Sequence, residues 1–263
     1  MGRGWRAWVL GAALVAAGCG RRNAPTGAPS ASDAGTSATS GSTVAWRVLG
    51  GRVPFLMVGK RQTLRGGFKD LRGDLQIDFS DLSRTRGSIS ADVRSLEMTT
   101  FLEADRNREQ TADALAWLDV TDRAPVDLRE RFRWATFTLR AITSAEPNDL
   151  TGGNGSVRRA RLTALGDLSF HGHTVPLQAT LEATAAFDGP NARNVLLRTV
   201  DDFTVSPEAH AVGRRSPAAY ATTGPPAPGG KLVAKASELL EDKLPAAQVA
   251  LEVALEPSDI KER

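Results

Sequence analysis

The sequence predicts an all-β fold of antiparallel strands, arranged as a sandwich or a barrel, with one or two short helices. Three observations carry this. Apolar and polar residues alternate with a period of two in segments spread from Leu75 to Glu256. Short turn-forming stretches containing Gly and Asp lie between those segments. And 41% hydrophobic with 24% charged residues is the composition of an ordinary soluble chain that folds around a core, which excludes collagen-like and wholly disordered readings.

The first element is an address. Arg3 and Arg6 precede an apolar run from Ala7 to Ala17, about the length of a secretory leader and too short to span a bilayer. The run ends Leu14-Val15-Ala16-Ala17-Gly18-Cys19, which resembles a bacterial lipobox with Ala16 where Leu is usual. That resemblance implies a signal peptide over residues 1–18 and a Cys19 that becomes the new N-terminus and is diacylated on sulfur. Cys19 is the only Cys in the chain, so no intramolecular disulfide is possible. The alternative is ordinary signal-peptidase cleavage after Ala17. Two acyl chains hold a protein on a membrane stably where one holds it marginally. Gly20 is not the Asp that retains enterobacterial lipoproteins in the inner membrane, so an outer-membrane, periplasm-facing location is expected.

From Gly20 to Thr43 there is no Val, Ile, Leu, Met, Phe, Trp or Tyr. Such a segment cannot bury enough apolar surface to offset its ordering entropy, and residues 19–43 read as a lipidated, flexible linker. Its reach is on the order of 25–30 Å.

Residues 44–257 make up the folded domain, with 258–263 as a tail. Leu75, Ile77 and Phe79 alternate with Asp74, Gln76 and Asp78. Ile89, Ala91 and Val93 alternate with Ser88, Ser90, Asp92 and Arg94; Ala135, Phe137 and Leu139 with Thr136, Thr138 and Arg140. Val175, Leu177, Ala179 and Leu181 alternate with Pro176, Gln178, Thr180 and Glu182, and near the end Val249, Leu251, Val253 and Leu255 follow the same rule. One apolar and one polar face mark an antiparallel sheet wetted on one side.

A helix interrupts the strands. Thr100-Phe101-Leu102-Glu103 fits a capping box, Ala112, Leu115, Trp117 and Leu118 supply an apolar face, and Pro125 stops any continuation. Arg106, Arg108 and Glu109 read as its solvated side. Asp149–Ser156 is a long hairpin turn. Arg214–Gly230, with four prolines, is a surface insertion, and Leu232–Leu244 is a second candidate helix.

Catalytic and charge signals are thin. Lys and Arg number 33 against 30 Asp and Glu, too even for a nucleic-acid partner. There is no G-x-S-x-G, H-E-x-x-H, Walker loop or C-x-x-C, and no metal or cofactor is specified. His171 and His173 would face the same way on a strand, as two metal ligands might, but His210 is the only further imidazole.

Three stretches together resemble the YceI-like family of bacterial periplasmic polyisoprenoid-binding proteins. These are Val53–Val58 followed by Leu64–Leu75, which is similar to the family's opening hairpin; Arg106–Val120, ending Ala116-Trp117-Leu118-Asp119-Val120; and the Leu165–Leu177 hairpin with its His171-Gly172 turn. Gln248–Glu256 is similar to the family's last strand. Leu71 stands where the family has Phe or Tyr, Asp201–Val205 matches the family's penultimate strand poorly, and the Pro-rich insertion has no counterpart.

The resemblance implies a lipocalin-like, extended antiparallel β-barrel of about eight strands, wide enough to be filled by side chains or to hold one elongated ligand. The alternation supplies candidate lining residues: Phe55, Met57, Phe68, Leu75, Ile77, Phe79, Phe137, Leu139, Leu168, Phe170 and Leu181. The expected function is that of a membrane-tethered periplasmic protein, without enzymatic activity, carrying an isoprenoid lipid or quinone-like ligand. A structural lipoprotein with a filled barrel and an enzyme hidden in the barrel mouth remain as alternatives. The sequence leaves the oligomeric state, monomer or homodimer, open.

Overall fold

The structure is a computed structural model that describes residues 43–60, 62–213 and 244–258. The expected leader over 1–18, the lipidated Cys19 and its linker, the insertion 214–230, the helix proposed from Leu232 and the tail beyond Ser258 lie outside the described residues.

One long strand organises the sheet. β1 (Val44–Val58) is flanked on one edge by β2 (Thr63–Phe68) and then β3 (Leu71–Ile77). On its other edge lie β11 (Ala247–Val249) and then β12 (Glu252–Pro257). Both flanks are interrupted near the middle of β1. Lys69 and Asp70 leave the ladder and donate both backbone N–H groups to Ser95 Oγ at 3.1 Å. Ala250 donates to Pro54 O at 3.0 Å and Leu251 N–H to Thr199 Oγ1 at 3.1 Å. Between Val48 and Gly50 the register with β12 slips, as at a bulge. Gly51 permits the close approach there, since a Cβ would sit 2.3 Å from Glu252 O. The alternating run Val249–Leu255, which reads as one strand, is therefore two strands serving two sheets.

The N-terminal half of β1 closes a barrel. In ring order the strands are β1, β12, β9 (Asn191–Thr199), β8 (His173–Asp188), β7 (Val157–Phe170), β6 (Trp134–Glu146), β4 (Arg86–Asp92) and β3, which returns to β1. All eight neighbours are antiparallel, and closure leaves no free edge in this ring. The expected lipocalin-like barrel is thus present. The C-terminal half of β1 carries a second sheet in the order β10 (Phe203–Val205), β11, β1, β2 and β5 (Glu97–Met98). The weakly patterned Asp201–Val205 segment holds the short strand β10 within it. β9 was hidden in the sequence because Val195, Leu196 and Leu197 are consecutive; Val195 and Leu197 are buried while Leu196 faces outward.

Several local expectations are corrected. Phe79 lies beyond the end of β3, and Asp78 is buried: its Oδ1 accepts from Ser80 N–H and O–H and from Asp81 N–H, organising the turn. Thr100 is not a helix cap. α1 runs Ala104–Trp117 behind Glu103, which makes no side-chain cap bond, while the Thr100 hydroxyl accepts from Arg65 N–H on β2. Asn107 closes the loop instead, accepting from Phe101 N–H and donating to Phe101 O, both at 2.8 Å. Ala112 is exposed, and Ala114 takes its place on the apolar face. Pro125 sits at the N-cap of α2 (Val126–Arg131), where a missing N–H costs nothing, so it opens a helix as well as ending the preceding turn.

Two apolar clusters result. One lines the barrel from Trp46, which is fully buried edge-to-face with Phe79, through Phe187, Leu181, Val195 and Leu255. The other lies under the second sheet and α1, around Leu64, Met98, Leu118, Phe132 and Val212.

Candidate functional site

An apolar cavity of about 270 Å³ is walled by residues of both clusters. All eleven candidates, Phe55, Met57, Phe68, Leu75, Ile77, Phe79, Phe137, Leu139, Leu168, Phe170 and Leu181, line it. On β8 the wall runs from Leu177 to Ala185, roughly 26 Å of strand at ~3.3 Å per residue. The second sheet contributes Phe55, Met57, Leu64 and Val249, and α1 contributes Ala114 and Trp117.

The hollow comes from small residues that a search for large apolar side chains overlooks. Ala164 on β7 and Ala179, Ala183 and Ala185 on β8 face inward at alternate positions. The signal was there as alternation with Ala in place of Leu on one face. Glycine works with them. At Gly166 a Cβ would lie 2.4 Å from the Phe137 ring, so that ring lies against the wall over the glycine. Phe55 does the same over Gly66, whose Cβ would be 2.8 Å from the ring tip. Two large aromatic rings are thereby laid along the wall.

The lining is chemically uniform. Among the described residues it holds no charged side chain; Thr85 and Ser88 bring its side-chain hydroxyls and Trp117 its one indole. A water needs two to four polar partners, which this wall does not offer, while apolar cavities of ~150 Å³ stay dry and take up benzene. The space suits a hydrocarbon chain. Among the described residues no group of three His, Cys, Asp or Glu is placed to hold a metal ion.

The histidines do not form the pair that a strand would give. His171 and Gly172, with φ of 48° and 79°, are the two central residues of the β7–β8 turn, a primed turn that needs positive φ at both. His171 is turned inward and buried, whereas His173 is exposed. The His171 ring packs on Phe132 at 4.1 Å between centroids, and its Nε2 is 3.5 Å from Asp119 Oδ2 at the end of α1. His210, in the turn Glu208–His210, is also buried. Burial pushes the His210 imidazole below its usual pKa, opposed by bonds to the carbonyls of His173 and Phe170. Pro207, Val212 and Phe170, beside this cluster, line the cavity. On α1, burial and then the neighbouring Glu109 push the Asp113 carboxyl up to about 6.

The family model for the YceI-like domain matches residues 36–221. A polyisoprenoid-binding domain from Saccharophagus degradans, implicated in plant cell wall breakdown, superposes with a TM-score of 0.50 at 13% identity, over 81% of this chain and 99% of that one. BcnA of Burkholderia cenocepacia superposes with a TM-score of 0.43 at 18% identity, over 78% of this chain and 95% of that one. The YceI protein of Campylobacter jejuni, in a mutant form with a monobromobimane guest, gives 0.38 at 12% identity over 56% and 70%. No curated protein matches the chain.

Proposed function

This chain belongs to the YceI-like family, and on that premise we propose that it holds an isoprenoid or quinone-like lipid in its barrel cavity while tethered to the bacterial envelope through Cys19. The observation that carries the reading is the continuous apolar cavity, kept open by Ala164, Ala179, Ala183 and Ala185 where bulkier residues would fill it. The superposable Saccharophagus degradans domain, described as polyisoprenoid-binding, supports the choice of lipid.

The energetics suit exchange. Burying apolar surface is worth ~25 cal/mol per Å² against water. A prenyl chain leaves a bilayer that is already apolar, so net transfer into the barrel is near zero and shape decides its direction. Two acyl chains on Cys19 and the linker that follows would keep the barrel at high local concentration near its lipid source. Among the described residues the lining has no imidazole or charged side chain to activate its Thr85 and Ser88 hydroxyls, which favours a carrier over an enzyme. We place it on the outer membrane, facing the periplasm.

Organic extraction of the purified full chain, read by mass spectrometry, tests the proposal. A prenyl lipid in near-stoichiometric amount is expected, and added prenyl lipid at 100 times its dissociation constant should raise stability by ~2.7 kcal/mol. An empty extract together with an unmoved melting temperature overturns it.

A further inference from the structure

The walls of the cavity differ in how they are fastened. Around the barrel each strand is hydrogen-bonded to both neighbours, so the ring offers no seam. Towards the β8–β9 turn, Trp46, Phe79 and Phe187 meet edge-to-face at 5.5 Å. Leu82 N–H donates to Asn148 O at 2.9 Å and Leu150 N–H to Phe79 O at 2.7 Å within the same cluster. The opposite end, at the β7–β8 turn, carries Pro207–Val212 and α1. The first is tied to that turn by the His171 and His210 imidazoles, each 3.2 Å from a carbonyl of the other segment.

α1 is held differently. Its C-terminal end is anchored: Leu118, Asp119 and Val120 are buried, and Asp119 Oδ2 lies 3.5 Å from His171 Nε2. The helix itself, Ala104–Trp117, has no buried residue, although Ala114 and Trp117 wall the cavity. Met98 N–H donates to Thr111 Oγ1 at 2.9 Å, which ties the middle of α1 to β5. The clip between Asn107 and Phe101 joins the helix to its own leading loop and travels with it.

Polar groups load this cover. Gln110, Ala114 and Trp117 share one stripe of the helix, at i, i+4 and i+7. Gln110 Oε1 on that stripe is buried with no hydrogen-bond partner among the described residues. Such an acceptor regains a hydrogen bond to water when the helix lifts. Burial and then the neighbouring Glu109 push the Asp113 carboxyl up to about 6, so its ionised form at neutral pH favours lifting too.

We propose that α1 is the gate of the cavity, swinging off the wall about its anchored Leu118–Val120 end to admit the ligand and closing over it. That a lipid passes the gate rests on the carrier reading above; the movement does not.

The test fastens α1 reversibly. Met98→Cys with Thr111→Cys in the full Cys19→Ser chain places two thiols on residues already in contact, and mass spectrometry reports their oxidation. Uptake of ubiquinone-2, followed by quenching of tryptophan fluorescence, should be at least tenfold slower in the oxidised protein than in the same protein reduced. In Cys19→Ser, adding Gln110→Leu removes the orphaned acceptor and stabilises the closed form, free and loaded alike. Uptake and release should both slow about fivefold or more, with the dissociation constant unchanged. Hydrogen exchange of the ligand-free chain over residues 104–117 should outpace that of β7 and β8, and Gln110→Leu should slow it by a similar factor. Equal uptake rates with and without the disulfide, or a Gln110→Leu change in affinity with rates unmoved, overturns the gate. If Cys19→Ser takes up no quinone the carrier reading fails, and exchange then decides the gate: protection of α1 equal to that of β7 and β8 overturns it.

Discussion

His171 and His210 each bond the other's surroundings through backbone carbonyls: His171 Nδ1 lies 3.2 Å from His210 O, and His210 Nδ1 lies 3.2 Å from both Phe170 O and His173 O. A carbonyl only accepts, so each Nδ1 carries the proton and donates. The β7–β8 turn and the Glu208–His210 turn are thus clasped in both directions.

Removing the clasp should loosen one end of the cavity. His210→Ala leaves the carbonyls of Phe170 and His173 without this donor and is expected to lower stability by about 1–3 kcal/mol in urea denaturation. Hydrogen exchange should rise most over Pro207–Val212. His171→Asn separates the clasp from the turn, since Asn suits positive φ; a loss of stability in His210→Ala with none in His171→Asn would mean that the His171 bond contributes nothing.

Much of the barrel was legible because its strands obey a period of two over a polar exterior. The break of one C-terminal pattern into β11 and β12 was not, because Val249, Leu251, Val253 and Leu255 keep perfect alternation across it; the division is set by Pro54, Gly51 and Thr199, far away in sequence. The cavity was legible in its large residues and illegible in its alanines, which read as weak core positions until the opposite wall is known. The buried His171–Asp119 contact joins two segments that the sequence only placed in order. No pattern of spacing announces that their side chains meet.

Asp113 and His210 should pull the pH profile in opposite directions. His210 has a lowered folded pKa, so its contribution is complete above the unfolded value of 6.5 and is lost as pH falls. Asp113 has a raised one, about 6, so its ionised form weakens the fold at neutral pH and the penalty fades as pH falls toward 3.8. Asp113→Asn should therefore gain on the order of 1 kcal/mol at pH 7, after discounting for solvent screening, and nothing near pH 4. Urea midpoints at the two pH values decide it; an equal gain at both removes the burial argument.

Filling the lumen should separate binding from folding. Ala179→Leu and Ala183→Leu each point a larger side chain into the cavity from β8. Because the added methylenes enter empty apolar space, the melting temperature should hold or rise, in contrast to overpacking of a dense core, which costs about 1–3 kcal/mol. Co-purifying prenyl lipid should fall at least tenfold. Unchanged lipid content with a lowered melting temperature would place the ligand elsewhere.

The acyl anchor predicts a specific response to salt. Two acyl chains on Cys19 would hold the protein through hydrocarbon burial, at ~0.8 kcal/mol per methylene, which high salt does not weaken. An attachment through surface charge would instead be cut by screening. After a high-salt wash of isolated membranes the wild-type chain should remain in the pellet and Cys19→Ser should appear in the soluble fraction, with labelled fatty acid incorporated only by the former. Retention of Cys19→Ser through the high-salt wash would overturn the acyl anchor and require another attachment.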